Sequence, residues 1–218
     1  MDRGLYIGLD PGKARRCAFS VVDHLGNFLD AGFFDGAIPH SLTRRMTEGI
    51  HSGMLVAVGI DGARHLLSQP RQWDWDERET GWKKLPSGTE AGRHAEIVLR
   101  AYGFRDCRWT GPATSASDRH LYTLSLYATC QALRGVEVHE TCAQASAQAF
   151  DSPGDRLGPP ENPEANLADA TLAAGSAREF RQGRGLQVGG GDGLGAITLP
   201  RPLSLAIPGV LEWPEAAA

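Results

Sequence analysis

At 218 residues, 41% of them hydrophobic, the chain is long enough to bury a real core and fits one large domain or a domain with an appendage. A formal charge of -4 and a sequence pI near 6.0 exclude a basic field over the whole surface, which leaves room only for a local basic groove. No apolar run approaches the roughly 18 residues of a membrane span, and Cys17, Cys107, Cys130 and Cys142 show no C-x-x-C spacing. The expectation is a soluble cytoplasmic protein with reduced thiols, no signal peptide, no membrane partner and no zinc site.

Residues 4–35 hold three strand-like runs, Leu5–Leu9, Cys17–Val22 and Asn27–Phe34. Asp10-Pro11-Gly12-Lys13 and the hairpin-length Asp23-His24-Leu25-Gly26 separate them, which predicts an antiparallel meander. Leu42, Met46 and Ile50 at helical spacing predict a helix over 41–50. Met54–Ile60 is continuously apolar and reads as a central strand buried on both faces. The opening is therefore β-β-β-α-β. Residues 62–88 read as a long polar loop holding Trp73, Trp75 and Trp82; these tryptophans either stack on bases or pin the loop to the core. Helices are predicted over 89–99, 117–133, 143–150 and 164–181, with a strand at Val136–Glu140 and a proline- and glycine-rich loop over 151–163. Beyond Arg181 the chain becomes glycine-rich and is then cut by Pro200, Pro202 and Pro208. The expected division is a domain over 1–181 and a Gly/Pro-rich arm over 182–218, outside the core sheet, that docks on a sheet edge or crosses to a second subunit; a homodimer is plausible on this reading.

Three acids stand at informative places in this frame. Asp10 ends the first strand, Asp61 ends the fourth, and Asp169 lies in the alanine-rich last helix, whose small residues allow a close approach to the sheet. Buried carboxylates need a compensating cation. Carboxylates from two strands and a helix suit Mg2+ or Mn2+, which take oxygen ligands and keep several waters. Taken singly, Asp-Pro-Gly and Asp-Gly are also turn sequences, and an acid early in a helix suits the helix dipole. Asn166, one turn before Asp169, could hold a metal-bound water. Glu140 shares a strand face with Val136 and Val138; it is either a further member of the site or a structural partner of a cation such as Arg93. Lys13, Arg15 and Arg16 are candidates for substrate phosphates, or else form a solvated turn.

The order strand-Asp, strand-Asp, helix-Asp, with Ile7-Gly8-Leu9-Asp10-Pro11-Gly12, Gly59-Ile60-Asp61, Gly92-Arg93-His94-Ala95-Glu96, His139-Glu140-Thr141 and Leu167-Ala168-Asp169-Ala170, resembles the ribonuclease H-like superfamily. Within it the likeness is to RuvC-type resolvases and to predicted nucleases of that fold, over about residues 4–180. The resemblance implies an α/β fold with a ribonuclease H-like mixed sheet flanked by helices. It also implies a metal-dependent nuclease in which Asp10, Asp61 and Asp169 bind Mg2+ or Mn2+, Glu140 assists catalysis, and Lys13, Arg15, Arg16, Arg93 and Asn166 contact nucleic acid. Two rival readings share the opening. One is an actin-like or sugar-kinase-like phosphotransferase, with Asp10-Pro11-Gly12 under a phosphate and Val188–Gly193 against a nucleotide. The other is a non-catalytic binding module.

Overall fold

The computed structural model describes residues 3–66, 72–86, 92–104, 116–150, 165–202 and 207–214. Its first strand, β1 (Gly4–Pro11), is buried along its whole length, as an apolar run with little polar alternation requires. It pairs antiparallel with β2 (Arg16–Asp23), which pairs antiparallel with β3 (Phe28–Asp35). Helix α1 (His40–His51) buries Leu42, Met46 and Gly49 and returns the chain to β4 (Leu55–Asp61), parallel to β1. The predicted β-β-β-α-β opening is thus present.

A hairpin of β5 (Trp73–Asp76) and β6 (Gly81–Lys84) follows, then α2 (His94–Ala101), α3 (Asp118–Ala132), β7 (Val136–Thr141), α4 (Ala143–Ala149) and α5 (Ala165–Arg181). The final strands are β8 (Leu186–Gly189) and β9 (Ala196–Leu199). The main sheet has seven strands in the order β3-β2-β1-β4-β7-β9-β8, with β1, β4, β7 and β9 mutually parallel along the row. This is a mixed α/β sheet flanked by helices.

Strand parity decides what each face carries. Leu5, Ile7 and Leu9 of β1 and Val56, Val58 and Ile60 of β4 join Leu42, Met46, Tyr122, Leu126 and Tyr127 in one core, beneath α1 and α3. Tyr6, Ala57, Ala174 and Ala177 pack on the opposite face, beneath α5. Gly8 and Gly59 are paired across β1 and β4 on that second face. A Cβ on Gly8 would overlap the Ala170 carbonyl oxygen and stand 2.6 Å from the Ala174 nitrogen; on Gly59 it would stand 2.8 Å from the Ala173 carbonyl carbon. Ala170, Ala173, Ala174 and Ala177 are all 0% exposed. The helix therefore lies directly on the backbone of the two central strands.

Two expectations need correction. The stretch beyond Arg181 does add to a sheet edge, but as part of the core sheet rather than as an arm outside it: β9 lies parallel beside β7, with Ile197 opposite Glu140 and Thr198 opposite Thr141, both fully buried, and β8 forms the edge. Its glycines, which suggested a flexible connector, make a hairpin turn in which Gly189, Gly190, Gly193 and Gly195 take positive φ. Pro200 follows the last strand residue and so ends the strand without interrupting it. Val210 and Trp213 pack beside α2, whereas Leu203 and Leu205 lie outside the described residues.

The segment 62–88 likewise contains an ordered hairpin. Trp75 and Trp82 meet edge to face at 5.5 Å, Trp82 meets Trp213 at 5.2 Å, and the Trp82 indole N–H donates to the Gly209 carbonyl. These tryptophans pin the hairpin to the C-terminal segment. Helix α2 begins at His94; Thr89–Ala91, where its start was predicted, lie outside the described residues, as do Cys107 and the 151–163 loop. Cys17, Cys130 and Cys142 are buried. Among the described residues no helix is long and apolar enough to cross a membrane.

Candidate functional site

The parity that puts Gly8 and Gly59 under α5 also turns Asp10 and Asp61, two residues further along their strands, toward the same helix. Both stand at the carboxyl ends of adjacent parallel strands, where ligands of open α/β sheets gather. Asp169 immediately precedes Ala170, whose carbonyl lies over Gly8, so the close docking of α5 brings its carboxylate to the same corner. Asp10 is 2% exposed and Asp61 7%.

Their electrostatics are those of one coupled group. Burial pushes the Asp10 carboxyl up from 3.8 to about 6; Arg119 opposes the rise, Asp169 adds to it, and a hydrogen bond from Asn166 favours the charged form. Burial pushes Asp61 to about 7, against the Ala143 N–H and with the help of Asp10 and Asp169. Asp169 is raised by burial and eased by Arg119. Asp61 also has a structural duty, since its Oδ1 accepts the Ala143 N–H at 2.8 Å and so caps the first turn of α4. As the chain stands, no group of three or more His, Cys, Asp or Glu side chains among the described residues is arranged to hold a metal ion. The donor chemistry nevertheless fits a hard divalent cation: three carboxylates, each resisting ionisation without a positive partner. Thr141, the wholly buried ladder neighbour of Asp61, adds a hydroxyl that has no hydrogen-bond partner among the described residues.

Glu140 is not part of this corner. In the β4–β7 ladder it stands opposite Ile60, on the face beneath α1 and α3, while Thr141 stands opposite Asp61. Both of its carboxylate oxygens bind Arg93, and Oε2 also accepts the Arg64 N–H at 3.1 Å. Arg93, expected to contact substrate, is 0% exposed; its guanidinium also donates to Glu96 and to the Leu194 carbonyl. Beside it, His94 accepts the Gly191 N–H on Nδ1, and its Nε2 lies 3.1 Å from the Val210 carbonyl. The Arg93-His94-Glu96 motif is a buried fastening between α2, β7 and the C-terminal segment. The glycine run after Val188 is part of the same fastening, since Gly189 abuts Ala95 and Gly191 abuts Trp213 and His94.

Lys13 and Arg15 lie in the exposed turn that follows β1, and Arg16 opens β2. Ala14 and Arg15 are consecutive non-glycine residues in the left-handed region, at φ 54° and 58°, a conformation disfavoured for L side chains. The Arg16 guanidinium lies 4.2 Å from the Phe33 ring centroid. A hollow of about 100 Å³ is lined by Gly12, Lys13, Arg16, Ala18, Phe33 and Asn166. Across the turn, a wider hollow of about 550 Å³ is lined by Arg15, Leu121 and Tyr122 among others.

Sequence reasoning missed Arg119. In the first turn of α3, it donates Nε–H to the Pro11 carbonyl at 2.6 Å and places a terminal nitrogen 3.4 Å from Asp10 Oδ1. Its charge is felt at Asp10, Asp61 and Asp169 alike. No local pattern around Ser117-Asp118-Arg119 marks it, because its role comes only from where α3 crosses the end of β1. Compared with family models, curated proteins and solved structures, the chain has no match in any of the three.

Proposed function

We propose that the chain is a divalent-cation-dependent nuclease of the ribonuclease H-like kind, hydrolysing phosphodiester bonds of nucleic acid. The observation that carries this reading is the convergence of Asp10, Asp61 and Asp169, from two adjacent parallel strands and the helix packed on them, into one electrostatically coupled corner. The β-β-β-α-β opening and the exposed basic turn that follows β1 support it further.

Asp10, Asp61 and Asp169 would hold the ion, closing around it from their present positions. Bound there, Mg2+ or Mn2+ supplies Lewis-acid polarisation of a phosphoryl oxygen and a water of lowered pKa. The hydrogen bond from Asn166 favours the charged form of Asp10, the form that would ligate a cation. Asp61 is oriented by the Ala143 N–H, which fixes one oxygen and leaves the other for coordination. Lys13, Arg15 and Arg16 would carry backbone phosphates across the turn; such contacts position the strand without reading its sequence. Glu140 and Arg93 act by holding the scaffold.

The test is a cleavage assay with labelled single strands, duplex DNA, duplex RNA, an RNA–DNA hybrid and a four-way junction, in Mg2+ or Mn2+. Asp10→Asn and Asp169→Asn should each be inactive while still folded. Cleavage that survives both substitutions, or equal cleavage in EDTA, would overturn the reading.

A further inference from the structure

Arg119 is held in two unequal ways. Its Nε–H makes a short bond, 2.6 Å, to a backbone carbonyl that cannot move without disturbing β1. Its outer nitrogen stands at 3.4 Å from Asp10, at the limit of hydrogen bonding, and the side chain is 47% exposed while Asp10 is 3%. Among the described residues the fork has no other acceptor. The inner end is thus tethered and the outer end is loosely engaged and open to solvent. A planar guanidinium with several N–H groups suits a phosphate better than a single carboxylate oxygen at this distance.

A cation on Asp10 would compete with Arg119 for the charge of one buried carboxylate, since two positive groups beside it repel each other and the Arg119 contact, at 3.4 Å, is the weaker hold. Resting on the nuclease reading above, we propose that Arg119 is a substrate-phosphate ligand stored on Asp10, released to nucleic acid when Asp10 takes up a divalent cation. The Pro11 tether keeps the freed fork beside the carboxylate corner. Cation binding and phosphate binding are then coupled through one side chain, although the two ligands need not touch it together.

Counterion release makes the idea measurable, since each phosphate neutralised by a protein cation steepens the dependence of log K on log[salt] by roughly 0.7 to 0.9. Binding of a fluorescein-labelled DNA duplex and of the matching RNA–DNA hybrid would be followed by anisotropy over a range of KCl, once in EDTA and once with Ca2+. The full chain would be compared with Arg119→Gln and Arg119→Lys. The proposal expects the wild-type slope to exceed that of Arg119→Gln by roughly one phosphate in Ca2+ and to match it in EDTA. Arg119→Lys, which keeps the charge, should recover part of the difference. Parallel slopes for wild type and Arg119→Gln under both conditions would overturn the role of Arg119 alone. Mn2+ uptake, read from the loss of the free-ion electron paramagnetic resonance signal, separates the other failure. A wild-type chain that takes up no Mn2+, or binds neither duplex, would overturn this inference and the nuclease reading together.

Discussion

Replacing Asp10 by Asn isolates the energetic tension of the carboxylate corner. In the folded chain Asp10 keeps its proton to about 6, whereas in the unfolded chain it gives it up near 3.8. Between those values the folded state binds more protons than the unfolded one, so stability falls as pH rises through the window. At 1.36 kcal/mol per pH unit the full penalty, present above about pH 6, is about 3 kcal/mol. Asn keeps the shape but cannot ionise, and it also removes the repulsion that raises Asp61. The attraction of Arg119, which the variant forfeits, is already contained in that figure. Asp10→Asn should therefore be more stable than wild type at pH 8 in EDTA, by up to about 3 kcal/mol, and the two should converge near pH 4. Urea unfolding followed by circular dichroism at both pH values gives the two differences directly. A variant less stable than wild type at pH 8, or a difference that does not change with pH, would show that Asp10 carries no burial penalty and would refute the reasoning.

Gly8→Ala should destabilise by about 1–3 kcal/mol, because the new methyl group overlaps the Ala170 carbonyl and α5 must lift from the sheet. Gly32→Ala, on β3 with only Phe19 ring carbons close by, should change the urea midpoint far less; equal effects would refute the close docking of α5. Glu140→Gln leaves the Arg93 guanidinium buried with only Glu96 for charge and should cost about 3–5 kcal/mol. A Glu140→Gln chain of unchanged stability and abolished cleavage would instead make Glu140 part of the chemistry. Truncation after Arg181 removes β8, β9 and Trp213 from the main sheet and the α2 core, so cooperative thermal unfolding should be lost; a truncated chain with an unchanged transition would refute the integral role of these strands.

The elements legible in the sequence are those whose periodicity is set by burial on the central strands. β1 and β4 read as apolar runs because both of their faces are covered, and the alanines of α5 read as a close-packed face because Gly8 and Gly59 lie beneath them. The acids Asp10 and Asp61 were readable for the same reason, since each ends such a run. The tail could be read as docking on a sheet edge but not as core sheet, because four-residue strands joined by a glycine turn carry too little pattern, and the turn is supported by His94, far away in the chain. The hairpin of β5 and β6 was hidden in the same way by its length and its charges.

Glu140 shows how far parity can be pushed before coordinates are needed. Its alternation with Val136 and Val138 turned it toward the apolar core, and Val56, Val58 and Ile60 turned the other residues of β4, among them Asp61, to the opposite face. Two parallel neighbours in register must place like-facing residues side by side. Once Ile60 is opposite Glu140, the acid cannot join Asp61 and has to find its own cation, which is Arg93. The alternation of the two strands, which the register then honours, separates a four-acid site from a three-acid site with a buried ion pair behind it. Arg119 lies beyond even that reasoning: its approach to Asp10 spans 109 residues and depends on where α3 crosses the end of the sheet. Its charge opposes the burial that raises all three carboxyls, and no local sequence pattern could disclose it.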